Sequence, residues 1–164
     1  MTTHRPASRG VCQGSVAGYG RVMTTAEMIA SNPTASPLDA TALAEAIDAC
    51  SEAAAAATAC ADSCLAEDDV AAMRACIRHD LDAADLLTAA GRVLGRHVAT
   101  DLGLLRVVLE AATIAAKRAA AGCEEHGASH VHCAVCAQAC RRAEAACRAL
   151  LEDLRSSTHQ PDVR

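Results

Sequence analysis

Aromatic side chains are almost absent from this sequence. Its 164 residues include one Tyr and no Phe or Trp, although 52% of the residues are hydrophobic. A core must therefore be built from Ala, Leu, Val and Cys, and Ala is the best helix former. Almost no segment has the alternating pattern of a strand, and the length is sufficient for one domain with a real core. The composition therefore predicts an all-α protein.

Further absences exclude several classes of function. The formal net charge is −5, which argues against nucleic acid as a partner because phosphate binding needs clustered positive charge. No apolar run reaches the roughly 20 residues that a membrane span needs. No Ser-His-Asp order, phosphate-binding loop or carboxylate pair suggests catalysis, so we do not expect an enzyme.

The first 22 residues are rich in Gly, Ser, Thr and Arg and lack the apolar segment of a signal peptide. We expect residues 1–36 to comprise a disordered tail and a short helix that starts near Met23 and ends at Asn32-Pro33. The expected compartment is the reducing cytoplasm, where clustered Cys more often bind metal than form disulfides. Cys12, in the tail, is interpreted as an incidental thiol.

Four long helical patterns follow and predict the main domain, residues 37–156. The predicted helices run over about residues 37–66, 69–97, 101–126 and 129–155. Turns of about four residues separate them, and the predicted caps are Asp68 or Asp69, then Thr100-Asp101, then Ser129. Short turns make consecutive helices antiparallel, so the sequence predicts an up-down-up-down four-helix bundle, followed by a frayed tail at 157–164.

The inward faces of these helices carry Cys where Leu or Ile is usual. In the last helix, four Cys fall within an arc of roughly 60° at about 100° per residue: Cys133, Cys136, Cys140 and Cys147. The inward stripes of the other helices add Cys50, Cys60, Cys64, Cys76 and Cys123. Connectivity places most of these thiols at one end, with Cys50 and Cys147 about 15 Å deeper. Leu and Ala line the opposite half.

Nine converging Cys indicate metal binding more than packing, because adjacent thiolates repel unless a cation neutralises them. Soft sulfur ligands select Cu(I), Zn or iron–sulfur clusters. A structural Zn site needs only four ligands, and iron–sulfur clusters are wrapped by loops. The chain also lacks the Glu-x-x-His pairs of a di-iron bundle. Cu(I) accepts two-coordination, which suits Cys pairs three or four residues apart, such as Cys60/Cys64 and Cys133/Cys136.

Four His accompany the thiols near the Cys-rich end: His79, His126, His130 and His132. His79 follows Cys76 by three residues, and His126 follows Cys123 by three, so each shares a helix face with a thiol and is a predicted ligand. His130, in the turn, is interpreted as a solvated side chain. The predicted metal ligands are therefore Cys50, Cys60, Cys64, Cys76, His79, Cys123, His126, Cys133, Cys136, Cys140 and Cys147.

These motifs resemble those of the cysteine-rich four-helix-bundle copper storage proteins. The resemblance covers about residues 37–155 and rests on CADSC (60–64), the Cys76-x-x-His79 pair, CEEH (123–126) and HVHCAVCAQACRRAEAAC (130–147). It implies a cytosolic homotetramer that stores many Cu(I) ions on lumen thiolates, with His near the mouth where copper enters. Three inward positions of the third helix, where such proteins usually carry Cys, are Ala112, Ala116 and Ala119, which implies a lower capacity.

The sequence thus favours Cu(I) storage or detoxification, and two alternatives remain open. A thiol redox sensor or buffer would form disulfides under oxidative stress, although Cys pairs at i, i+3 on one helix are poorly placed for unstrained disulfides. A degenerate structural or partner-binding bundle would have lost its copper role together with its third-helix Cys. Metal analysis of protein from copper-supplemented cells, with a free-thiol count, distinguishes all three.

Overall fold

The computed structural model describes residues 23–157, which form five α-helices without a strand in that range. Helices α1 to α5 span Thr25–Ala30, Ala40–Leu65, Val70–Leu94, Leu102–His126 and Val131–Ser157. The all-α class and the short N-terminal helix are confirmed. The predicted disordered tail, with Cys12, and the end of the chain beyond residue 157 lie outside the described residues.

Aspartate side chains cap three of the long helices. Asp39, Asp69 and Asp101 each accept a hydrogen bond from a backbone N–H in the first turn of the following helix, at distances between 2.8 and 3.2 Å. Each such cap contributes about 1 kcal/mol, because it satisfies a donor that the helix leaves free. Of the predicted capping residues, Asp69 for the second long helix and Asp101 for the third are therefore confirmed.

Two predicted boundaries are wrong. The backbone N–H groups of Ser129 and His130 both donate to the His126 carbonyl at 3.0 Å, which prolongs the end of α4. Helix α5 therefore begins only at Val131. Ser129 does not immediately precede this helix, so the prediction that it is the N-cap is wrong. Helix α3 ends at Leu94 rather than near His97, because the chain needs residues 95–101 to reverse direction and passes through a left-handed residue, Ala99, with φ 53°.

The four long helices form a closed ring of neighbours. Helix α2 packs against α3 and α5, α4 packs against the same two helices, and α1 lies against α2. The connections 66–69, 95–101 and 127–130 join antiparallel neighbours, which gives the predicted up-down-up-down bundle. We call the end that carries connections 66–69 and 127–130 the mouth, and the other end, with connection 95–101, the closed end.

Small and aliphatic side chains build the core. Completely buried Ala residues on three helices let neighbouring backbones approach closely: Ala46, Ala57, Ala83, Ala112 and Ala119. Toward the closed end the core consists of buried Leu, namely Leu43, Leu87, Leu94, Leu105, Leu109, Leu150, Leu151 and Leu154. Each buried Leu contributes about 2 kcal/mol, so this half needs no metal to hold it together. None of the helices within residues 23–157 has the length and apolar character that crossing a membrane requires.

Candidate metal centre

Nine free thiols line the interior of the bundle. No disulfide joins them within the described residues, and none is more than 1% exposed. They are the nine Cys predicted to face inward: Cys50, Cys60, Cys64, Cys76, Cys123, Cys133, Cys136, Cys140 and Cys147. The helical periodicity that predicts their orientation is therefore confirmed by their burial.

The thiols near the mouth are in contact across the helices. The Cys60 Sγ atom lies 3.7 Å from the Cys123 Sγ atom and 3.9 Å from that of Cys133. Cys76 and Cys123 are 3.5 Å apart, and Cys64 and Cys133 are 3.9 Å apart, between their Sγ atoms. An ion bound at about 2.3 Å from each of two sulfurs holds them at most about 4.6 Å apart. The sulfurs are therefore already at the spacing of shared ligands.

Asp80 places a carboxylate among these sulfurs and was not predicted from the sequence. It is completely buried on α3, one turn after Cys76. Its Oδ1 atom accepts from the thiols of Cys123 at 3.3 Å and Cys136 at 3.5 Å, and its Oδ2 atom from that of Cys76 at 3.8 Å. Burial raises the pKa of Asp80 from 3.8 to about 6. Its position four residues after Cys76, on the same stripe, is the signal that could have identified it.

His132 brings an imidazole to the same cluster and was likewise not predicted as a ligand. Its Nδ1 atom lies 3.5 Å from the sulfurs of Cys60 and Cys133 and 3.9 Å from that of Cys64. Its Nε2 atom lies 3.0 Å from the Glu67 carboxylate. The hydrogen bond with Cys60 is the main cause that raises the pKa of His132. The sequence signal was its position directly before Cys133, in the HVHC segment.

Hydrogen bonds between the thiols lower the pKa of some of them and raise the pKa of others. The hydrogen bond with Cys123 is the largest cause lowering the pKa of Cys60, whereas hydrogen bonds with Cys136 and Cys60 raise that of Cys123. Burial raises the pKa of Cys64 to about 12 and also raises that of Cys133. The Cys60 thiolate therefore forms more readily than those of Cys64, Cys123 and Cys133.

Four overlapping groups of four side chains have ligand atoms within 4.8 Å of one another. They are Cys60–Cys76–Cys123–Cys133, Cys60–Cys64–His132–Cys133, Cys60–Cys64–Cys76–Asp80 and Cys60–Asp80–Cys123–Cys136. Cys60 belongs to all four, so ions held by different groups would share its sulfur. The geometry therefore describes one linked cluster rather than separate four-ligand sites.

Cys50 and Cys147 form a pair of their own toward the closed end. Their Sγ atoms are 3.5 Å apart, and neither belongs to the groups of ligand atoms found in the described part of the chain. Their mutual hydrogen bond is the main cause that raises the pKa of Cys50 and lowers that of Cys147. This pair offers two sulfurs to a single ion.

His79 and His126 lie in the wall of the bundle and do not join the cluster. The His79 Nδ1 atom is buried without a hydrogen-bond partner among the described residues, and it would lie 3.3 Å from a Cβ on Gly122. Both His line a groove of about 350 Å³ between α3 and α4, which also reaches Cys76. The His126 ring stands 6.4 Å from that of His130. Their role as ligands stays a prediction.

Sulfurs, one carboxylate and one imidazole converge in the lumen of this four-helix bundle. This arrangement is typical of proteins that hold several soft cations in a thiol-lined interior. Within that class, the sequence profile described as copper storage protein matches residues 39–152, and the chain belongs to this family. The resemblance drawn from the Cys motifs is therefore confirmed.

Solved structures of a Streptomyces lividans protein are similar to this chain. The copper storage protein Ccsp, loaded with 10 copper equivalents, is 40% identical with a TM-score of 0.77, over 79% of this chain and 99% of that chain. A structure described as a cytosolic copper storage protein with five coppers is 45% identical with a TM-score of 0.67, over 68% of this chain and 93% of that chain. No functionally curated protein matches the sequence.

Proposed function

We propose that this protein stores copper in the cytoplasm by binding several Cu(I) ions to its lumen thiolates. The observation that carries the proposal is the linked cluster at the mouth, in which sulfurs from all four long helices approach within 3.5 to 3.9 Å. Buried thiolates at this spacing need cations to neutralise them, and soft sulfur ligands favour Cu(I). The copper-loaded, cytosolic Streptomyces lividans relative supports the same function.

The proposed ligands are the nine buried Cys together with Asp80 and His132. Cys60 is shared by four groups of ligand atoms, which fits Cu(I). Cu(I) needs few ligands, and a bridging thiolate can bind two Cu(I) ions at once. Zn would instead require four ligands for every ion. The isolated pair of Cys50 and Cys147 supplies only two sulfurs, which suits linear two-coordination by Cu(I). His79 and His126 are proposed as accessory ligands outside the cluster.

The third long helix limits the capacity. Helix α4 contributes one thiol, Cys123, whereas Ala112, Ala116 and Ala119 fill completely buried positions along the same helix. Copper should therefore occupy the lumen from the mouth to the level of Cys50 and Cys147, which form its inner limit. We place this storage function in residues 37–156 and assign no catalytic role to the chain.

We also propose that the bundles assemble as a homotetramer. Apolar side chains on α3 and α4 that are between 39% and 59% exposed support this: Leu81, Leu86, Leu104, Val107 and Ile114. Leu86 and Ile114 line a groove of about 510 Å³ between the two helices. Replacing both by Glu should convert the assembly to monomers, as measured by analytical ultracentrifugation, and should leave the copper bound per chain unchanged. A wild-type monomer would contradict the assembly.

Metal analysis of the protein from copper-supplemented cells tests the storage function. We expect several copper ions per chain, with thiols that become titratable again after a Cu(I) chelator removes the metal. Copper-free protein with disulfides would instead identify a redox sensor or buffer. Copper-free protein with every thiol reduced would identify a structural bundle. A Cys133, Cys136 and Cys140 triple Ala variant should lose most of the copper.

A further inference from the structure

Glu67 contacts two imidazole rings at the mouth of the bundle. One carboxylate oxygen, Oε1, lies 2.9 Å from the His130 Nδ1 atom and 3.0 Å from the His132 Nε2 atom. The three side chains are partly buried, with exposed fractions of 32%, 24% and 22% for Glu67, His130 and His132. Because a carboxylate only accepts hydrogen bonds, each of these two nitrogens has to carry a proton.

The shared carboxylate therefore assigns opposite tautomers to the two rings. In its neutral form, His132 is protonated at Nε2, which leaves Nδ1 as its ligand atom, and this Nδ1 lies 3.5 Å from the sulfurs of Cys60 and Cys133. His130 is protonated at Nδ1, which leaves Nε2 as its ligand atom. The reverse tautomer at His132 would turn an N–H toward the sulfurs and could not bind a cation there.

We propose that Glu67 is the positioning residue of the copper centre, because it fixes His132 with Nδ1 free for the thiol cluster and His130 with Nε2 free for an arriving Cu(I) ion. The two ring centroids are 5.6 Å apart, so an ion released by one ring is within a short distance of the other. Carboxylates that orient ligand His in this way raise their basicity and fix their tautomer. The predicted effect on copper uptake rests on the proposed storage function, whereas the assignment of the two tautomers rests on the geometry alone.

The tautomers of the reduced, copper-free protein can be measured directly by long-range ¹H–¹⁵N correlation NMR. We expect the Nε2–H form at His132 and the Nδ1–H form at His130. Glu67→Ala should abolish the Nδ1–H form at His130, because the free imidazole favours protonation at Nε2. Glu67→Gln keeps an accepting oxygen at the same position and should preserve both tautomers. Unchanged tautomers in Glu67→Ala would overturn the proposal.

Copper uptake supplies the functional readout. Stopped-flow loading of Glu67→Ala should be slower by about 10-fold, in line with other lost ligand-orienting carboxylates, whereas Glu67→Gln should load nearly as fast as the wild type. The final copper content should not change, since every thiol remains. Asp68→Ala removes an exposed carboxylate from the same connection and is the matched control for lost charge.

Equal slowing in Asp68→Ala and Glu67→Ala would show a general charge effect and would refute the positioning role. Failure of the storage function itself would have a different signature, since the wild type would then take up no copper. The NMR result would still decide whether Glu67 sets the two tautomers, so the two failures can be told apart. Far-UV circular dichroism of each variant verifies that the bundle is folded.

Discussion

Replacing Asp80 by Asn should stabilise the copper-free protein. Burial raises the pKa of Asp80 from 3.8 to about 6, so the folded state binds its proton more tightly than the unfolded chain does. Ionisation of Asp80 therefore opposes folding, and the cost appears as the pH rises from about 4 to above 6. The shift of 6 − 3.8, or 2.2 units, corresponds to at most about 3 kcal/mol at neutral pH.

The amide of Asn has the size of a protonated carboxyl and carries no charge. At neutral pH the Asp80→Asn variant should therefore be more stable than the wild type by up to about 3 kcal/mol, and about 2 kcal/mol of this advantage should disappear between pH 7.5 and pH 4.5. Urea denaturation of both reduced, metal-free proteins, followed by circular dichroism, measures the difference. Comparing the two proteins cancels the opposite pH dependence of Glu67 and Glu124, whose pKa values are lowered by their hydrogen bonds.

Asp85→Asn is the control, because it removes an exposed carboxylate from the same helix. A stability difference between Asp80→Asn and the wild type that does not vary with pH would refute the burial of an ionisable carboxyl among the thiols. A carboxylate kept in the core at such a cost is expected where a cation neutralises it. Copper should therefore stabilise the wild type more than it stabilises Asp80→Asn.

Three further results are expected. Reduced, metal-free protein should already be helical by circular dichroism, because the Leu-rich half packs without metal, and a random-coil spectrum would contradict this. Replacing Cys50 and Cys147 by Ser should remove only the innermost copper, and a loss of most bound copper in metal analysis would contradict their separation from the mouth. Ala99→Gly should raise the free energy of unfolding by about 1 kcal/mol in urea denaturation, since Ala99 has a left-handed φ of 53°; a destabilised variant would argue against that conformation.

The orientation of the thiols could be predicted because it depends on one helix at a time. A period of 3.6 residues places Cys133, Cys136 and Cys140 on one face whatever the neighbouring helices do. Likewise, the Asp69 and Asp101 caps are local, since each bonds to an N–H within three residues. Antiparallel connectivity then brings the Cys-rich segments to the same end without any knowledge of packing.

Contacts between helices could not be predicted in this way. Which sulfur meets Cys60 depends on the rotation and axial shift of α4 and α5 relative to α2, and the periodicity of a single helix does not contain these quantities. Asp80 was not predicted as a ligand, because a charged residue in a helix is normally assigned to the exposed face unless its burial is known. The role of Glu67 could not be predicted either, because its contacts with His130 and His132 span more than 60 positions of sequence.

The buried Leu residues of the closed end block the lumen beyond Cys50 and Cys147, so ions would reach this pair only from the side of the thiol cluster. If Cys50 and Cys147 hold copper as proposed, that copper would leave only after ions nearer Cys60 have moved, so the last ions to arrive would be the first to depart. The protein would then contain two populations of copper ions. Ions in the cluster near the mouth would exchange quickly, whereas ions at Cys50 and Cys147 would be retained for longer. Loading with one copper isotope followed by another should leave the first isotope enriched in the slowly released fraction.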